Sequence, residues 1–196
     1  METLSQLKIT ACNIYGLFKA NLKLQFKKFK NVTGNADVIC LIDTHFTKQN
    51  LSVLISQRKQ FFSKFNAELI ESPDGRSRGL ILLIRKSAGI SLDNFNVVNL
   101  NCMHCFFSTA SNKKLEIFFS YAPCDENEKT HHLEEIYQLI KKSKSPYRAV
   151  LGDYNSTMNF NYDTRGYIKD NHVKSRELLR EWEETGTLID AYRFYH

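Results

Sequence analysis

Proline is scarce in this chain, with three residues among 196. No tract is rich in proline, glycine or serine, so the sequence offers no interdomain linker, repeat or low-complexity segment. Long apolar runs are also missing. No stretch approaches the roughly 20 consecutive apolar residues of a membrane span, so no membrane role is expected. The opening Met1-Glu2-Thr3-Leu4-Ser5-Gln6 has no basic region ahead of an apolar core and reads as no signal peptide. Cysteine is present in odd number: Cys12, Cys40, Cys102, Cys105 and Cys124 lie scattered through apolar runs. That usage suits reduced, buried thiols of an intracellular protein, nuclear or cytoplasmic, better than a disulfide framework.

What is present is ordinary in amount. The chain is 42% hydrophobic and 24% charged, which excludes disorder of the whole. A length of 196 residues suits one domain with a real core, here read as residues 1–196. The net charge of +6 and a pI near 9.0 favour an anionic partner, nucleic acid first.

Strands are expected at Lys8–Cys12, Asp37–Ile42, Ala67–Ile70, Gly79–Ile84, Phe95–Leu100, Cys102–Thr109, Leu115–Ser120 and Arg148–Leu151. Helices are expected at Leu17–Phe29, Leu51–Phe62, Glu126–Lys144 and Val173–Glu184, with a further short element starting over Leu188–Tyr192. Ser111-Asn112-Lys113 joins two strands as a turn. The order mixes helices and strands as an α/β domain does, with sheets inside and helices outside.

Small polar and acidic residues follow the strands' carboxyl ends: Asn13, then Asp43 and His45, then Tyr121, then Asp153 and Asn155. In α/β folds such ends converge on a cleft. Asn and Asp are hard oxygen donors that suit Mg²⁺ or Mn²⁺, and such an ion polarises a phosphate. Each residue also has a plainer reading. Gly152-Asp153-Tyr154-Asn155 alone reads as a turn, since Asp and Asn favour turns. Asp43 could be a loop acid or helix cap, Tyr121 a sheet aromatic, and Asn13 a strand-end turn residue.

Five segments in order carry a resemblance: Asn13-Ile14-Tyr15-Gly16-Leu17, Leu41-Ile42-Asp43-Thr44-His45, Arg78–Leu83, Tyr121-Ala122-Pro123 and Gly152-Asp153-Tyr154-Asn155. Together they resemble the endonuclease/exonuclease/phosphatase family, and most closely the endonuclease domains of non-LTR, LINE-type retrotransposons. Asp163-x-Arg165-Gly166 and Asp190–Arg193 also look like that subgroup.

The resemblance implies a four-layer sandwich: two mixed β-sheets flanked by helices. It also implies a Mg²⁺- or Mn²⁺-dependent endonuclease that hydrolyses nucleic-acid backbone, DNA first, with a reverse transcriptase following in an intact parent element. Asn13 and Asp43 would hold the metal, with His45 beside it. Tyr121 would face the scissile phosphate, Asp153 would orient or deprotonate water, and Asn155 would hold phosphate or water. Two departures accompany it. Asp43 stands where the family usually has Glu, and the family's closing Ser-Arg-x-Asp strand and Ser-Asp-His are not found. The chain is therefore expected to lack the final strands and to be weak or inactive by itself. A catalytically dead nucleic-acid-binding remnant is the alternative, and a poorly folding product of a decayed copy is a third reading.

Other features read as structural. Cys102-Met103-His104-Cys105 has a Cys-x-x-Cys spacing without a second pair, which favours core thiols over zinc. His131 and His132 are expected on the surface. Lysines between Lys19 and Lys30 read as a solvated helix face. Arg76 and Arg78, in a charged turn-rich loop, are the candidate contacts to a nucleic-acid backbone.

Overall fold

A computed structural model describes residues 7–16, 34–73, 75, 77–158, 172–185 and 188–190. The helix expected over Leu17–Phe29, Arg76, Asp163–Gly166 and the residues after Asp190 lie outside the described residues. Among those described, the strands are β1 (Ile9–Asn13), β2 (Val38–Ile42), β3 (Phe65–Ile70), β4 (Leu80–Arg85), β5 (Ile90–Asn99), β6 (Cys102–Thr109), β7 (Lys114–Tyr121) and β8 (Arg148–Asp153). The helices are α1 (Lys48–Gln57), α2 (Lys59–Phe62), α3 (Glu126–Lys142) and α4 (Val173–Glu184). The mixed α/β class is as expected. The chain falls into two compact units, Met1–Tyr121 with Val150–Asp153, and Ala122–Ala149 with Tyr154–His196.

Among the described residues there are two four-stranded sheets, ordered β1-β2-β4-β3 and β5-β6-β7-β8, which belong to the first unit apart from Arg148 and Ala149 of β8. In the first, β1 runs parallel to β2, while β4 is antiparallel to both β2 and β3. β2 is five residues long, and every residue is buried. The period of two explains how. Val38, Cys40 and Ile42 point into the core between the sheets, with Leu80, Leu82 and Ile84 of β4 and Met103, Cys105, Phe107, Ile117 and Phe119. Ile39, Leu41, Ile81 and Leu83 point to the other face, beneath Phe46 and the α1 residues Leu51 and Leu54.

Glycine at 152 is required by packing. A Cβ there would stand 1.8 Å from the carbonyl oxygen of Ser120 on β7. This close approach seats β8 beside β7 in the second sheet, and Asp153 is its last residue.

In the second unit, Asp125 caps α3: its carboxylate accepts from Asn127 N–H and Glu128 N–H at 3.0 Å each. Glu126 and Glu128 in the first turn and Lys141 and Lys142 in the last complement the helix dipole. Glu126 also reaches the start of α4. Its Oε1 accepts the Ser175 N–H at 2.8 Å, capping a helix whose own N-cap residue, His172, makes no side-chain cap bond.

Several expectations need correction. Leu51–Phe62 is not one helix: the chain breaks at Arg58, whose backbone is non-helical (φ −123°, ψ 31°), leaving α1 and the single turn α2. β5 begins at Ile90, before the expected Phe95, because its residues alternate only weakly between half-buried and exposed. Asn13, Tyr121 and Asp153 end their strands instead of following them. Leu188–Asp190 forms neither helix nor strand. His131 is exposed, but His132 is buried with Leu133, Ile136 and Ile140 on the inner stripe of α3. Cys40, Cys102 and Cys105 are buried, Cys12 is half-buried and Cys124 is exposed, so not every thiol is a core thiol. Burial pushes the Cys105 thiol up to about 12. His104 faces away from the inter-sheet core. It stacks on Phe118 and hydrogen-bonds Glu116 at 2.8 Å.

Candidate active site

In the first unit the strand ends meet. Asn13 closes β1, and its Nδ2 donates to Asp153 Oδ2 at the end of β8, 2.8 Å away and 140 residues on in the chain. Asn13 Oδ1 accepts the Tyr15 N–H at 2.8 Å. The side chain is thereby oriented: its oxygen turns to its own loop and its amide hydrogens to the carboxylate.

The Asp43-Thr44-His45 loop continues β2 alongside the residues before β4. Thr44 N–H donates to Gly79 O at 3.1 Å and His45 N–H to Arg78 O at 2.8 Å. Asp43 is buried, and its Oδ1 accepts the Arg78 backbone N–H and the His45 ring at 2.9 Å each. A carboxylate only accepts here, so His45 donates through Nε2, which fixes its tautomer. Gly79 has φ +87°, and a Cβ there would lie 2.7 Å from Thr44 Oγ1. That hydroxyl is buried and finds no partner among the described residues.

The backbone at this place is strained. Among the described residues six non-glycine residues have positive φ, and four of them, Tyr15, Asp43, His45 and Arg78, belong to the three hydrogen-bonded segments that follow β1, follow β2 and precede β4. Such conformations cost about 1–3 kcal/mol each and cluster at functional sites. Tyr15 is 69% exposed, and its ring centre lies 6.3 Å from that of His45. The ring of Tyr121 is half-buried and packs against the core between the sheets.

Asn155 belongs to the second unit, in the loop that follows β8, and also has positive φ, 45°. Its Nδ2 donates to Ala122 O at 2.7 Å, joining the Gly-Asp-Tyr-Asn segment to Tyr-Ala-Pro. Its own carbonyl accepts from Lys129 Nζ at 2.6 Å. Lys129 is fully buried. It also contacts His172 Nδ1 at 2.7 Å and Glu126 Oε2 at 3.5 Å. Desolvation raises the Glu126 carboxyl, but hydrogen bonds from Ser175 and His172 and the charge of Lys129 outweigh it, leaving a net lowering. Tyr154 sets its ring edge-on to Trp182, which stacks on Tyr137.

Sequence reasoning missed Tyr15, Lys129 and Thr44. Lys129 reads as one more solvated lysine of a charged helix; only its place on the inner stripe, three residues before His132, signals burial. Tyr15 was signalled by its bulk inside Asn-x-x-Gly, where the turn favours small residues. Arg78 contributes its backbone N–H to Asp43. The loop before it closes on itself, Ser72 Oγ donating to Ser77 O at 2.6 Å and accepting the Gly75 N–H at 2.8 Å.

Among the described residues no group of three or more His, Cys, Asp and Glu side chains converges as a metal cage. One carboxylate with an amide oxygen is nonetheless a donor set that suits Mg²⁺ or Mn²⁺, which keep several waters in such sites. Asp43 Oδ2 makes no hydrogen bond among the described residues, and the amide oxygen of Asn13 has a second lone pair. By its chemistry each residue is a hard oxygen donor of the kind a divalent cation such as Mg²⁺ takes.

Solved structures share this arrangement of strands and helices. D. rerio TDP2 complexed with a single-strand DNA product superposes with a TM-score of 0.61 at 20% identity, covering 94% of this chain and 72% of that one. The likeness is one of fold. A humanized D. rerio TDP2 superposes on 77% of the chain at 19% identity with a TM-score of 0.57. The human Nocturnin catalytic domain with bound sulfate also covers 77%, at 13% identity with a TM-score of 0.56. The chain spans 63% of the humanized TDP2 and 64% of the Nocturnin domain. No family model and no curated protein matches it. No helix among the described residues is long and apolar enough to cross a membrane.

Proposed function

We propose that this chain is a divalent-metal-dependent phosphodiesterase that hydrolyses a nucleic-acid backbone, DNA first, and acts as one catalytic domain. The observation that carries the reading is the Asn13–Asp153 hydrogen bond, which brings two of the resembling segments together from opposite ends of the chain. Asp153, oriented by the Asn13 amide, accepts a proton from the attacking water. Asp43 and Asn13 hold Mg²⁺ or Mn²⁺, which when bound supplies Lewis-acid polarisation of the phosphate. His45 keeps Asp43 in place through its Nε2–H. Tyr121 faces the phosphate, Asn155 holds phosphate or water, and Arg76 and Arg78 contact the backbone of the substrate. A structural neighbour holding a single-strand DNA product supports the substrate class. The order of the five motifs supports descent from a LINE-type retrotransposon, in whose intact form a reverse transcriptase follows. Incubating the chain with end-labelled DNA oligonucleotides in Mg²⁺ and in EDTA tests the reading. Weak cleavage confined to the Mg²⁺ arm is expected, and equal product in both arms overturns it.

A second reading, a nucleic-acid-binding remnant, is favoured by one observation: Asp43 Oδ1 is already engaged by two donors within its own loops. It predicts DNA affinity that is indifferent to Mg²⁺ beyond ionic strength and that falls steeply with added salt, as counterion release requires. A titration across salt concentrations, with Mg²⁺ replaced by NaCl at equal ionic strength, separates the two readings.

A further inference from the structure

Tyr15 sits in a left-handed backbone conformation, φ 46°, that an aromatic residue rarely adopts. Three hydrogen bonds hold it there. Its own N–H is bound by Asn13 Oδ1 at 2.8 Å, the Ile14 N–H by Ile42 O at 3.0 Å, and the Gly16 N–H by Asp43 O at 2.8 Å. The same side chain that anchors Tyr15, Asn13, also binds Asp153. The loop thus turns one face to the candidate site and displays a ring that is 69% exposed. Its neighbour His45 lies tilted at 57°, with ring centres 6.3 Å apart. A ring held there only for packing would turn into the core, as that of Phe46 does.

We propose that Tyr15 is a stacking platform for an unpaired nucleobase of the substrate strand, a base-binding subsite beside the candidate active site. The inference rests on the phosphodiesterase reading and deepens it. A base inside a duplex already has both faces stacked on its neighbours, whereas an unpaired base has a π-face to offer. Stacking on an aromatic ring is tolerant of base identity, so the subsite confers a preference for unpaired nucleotides without reading sequence. The polyanionic strand suits a chain of net charge +6.

The test measures binding of the full chain to a labelled single-stranded DNA 12-mer by fluorescence anisotropy in EDTA, where cleavage does not interfere. Tyr15→Ala is expected to raise the Kd about 5- to 100-fold, and Tyr15→Phe, which keeps the ring, to stay within about twofold. An oligonucleotide in which abasic positions replace the central bases should bind the unaltered chain more weakly and be insensitive to Tyr15→Ala. A Kd unchanged by Tyr15→Ala overturns the proposal. So does an equal loss on the abasic strand, which places the contact on the backbone. The abasic comparison with the unaltered chain keeps the test decisive should the alanine variant fail to fold. Nuclease activity undiminished by Asp153→Ala overturns the phosphodiesterase reading instead, and leaves the stacking result standing by itself.

Discussion

Gly152 and Asp153 are neighbours with opposite demands. Gly152 must carry no side chain, because a Cβ would fall 1.8 Å from Ser120 O, a backbone atom that cannot step aside. Asp153 must carry one, because its carboxylate receives the Asn13 amide. Gly152→Ala is therefore expected to destabilise the chain at the upper end of the roughly 1–3 kcal/mol typical of overpacking. A thermal melt followed by circular dichroism should show a Tm lower by about 5–10 °C; an unchanged Tm contradicts the packing described here. At this scale the sequence was generous with identities and silent on roles. Asn13, Asp43, His45, Asp153 and Asn155 were all legible as polar groups at strand ends. That Asn13 would hydrogen-bond Asp153, or that Asp43 would be tied by His45 and the Arg78 N–H, was not legible. Those contacts depend on loops that run left-handed through Asp43, His45 and Arg78, and nothing in those residue types announces positive φ.

Among the elements, α3 and α4 are joined by a carboxylate that serves two helices. Glu126 lies in the first turn of α3, where the dipole favours it, and caps Ser175 N–H at the start of α4. Lys129, one turn later, holds the carbonyl of Asn155. The Glu126 carboxyl is lowered in the folded protein by Ser175, His172 and Lys129, against the opposing and individually largest effect of desolvation. A lowered carboxyl contributes stability that is present above its unfolded value near 4.5 and is lost as pH falls through the folded value. The melting temperature should accordingly decline with acidification below about pH 4.5, and Glu126→Gln should make that decline shallower. A slope identical in the two proteins excludes Glu126 as its source. Element boundaries were readable where the burial pattern was strong, as at Val173–Glu184 and at β2. They were misread where the pattern was weak: at Arg58, which divides α1 from α2, and along β5, whose alternation is shallow.

For the molecule as a whole, composition and element order were enough to indicate an α/β chain, and the family resemblance implied its two sheets. The order of pairing was not. β4 lies between β2 and β3, which places a strand between two others that precede it in the chain, and no local signal reports such an insertion. It has a functional consequence. Because β4 pairs with β2, Arg78 and Gly79 are brought alongside Asp43, Thr44 and His45, and the candidate site acquires its strained loops. The division of labour follows: the sheets fix Asn13, Asp43 and Asp153 in one unit, while Lys129 and Trp182 fix Asn155 and Tyr154 in the other. The most direct measurement of the central claim is Mg²⁺-dependent cleavage of a labelled DNA oligonucleotide by the chain and by Asp153→Ala, compared at equal folded fraction. The account predicts that the alanine variant retains its melt and cuts about 10²- to 10⁴-fold more slowly, the range expected for loss of a general base. Equal cutting rates for the two proteins contradict it.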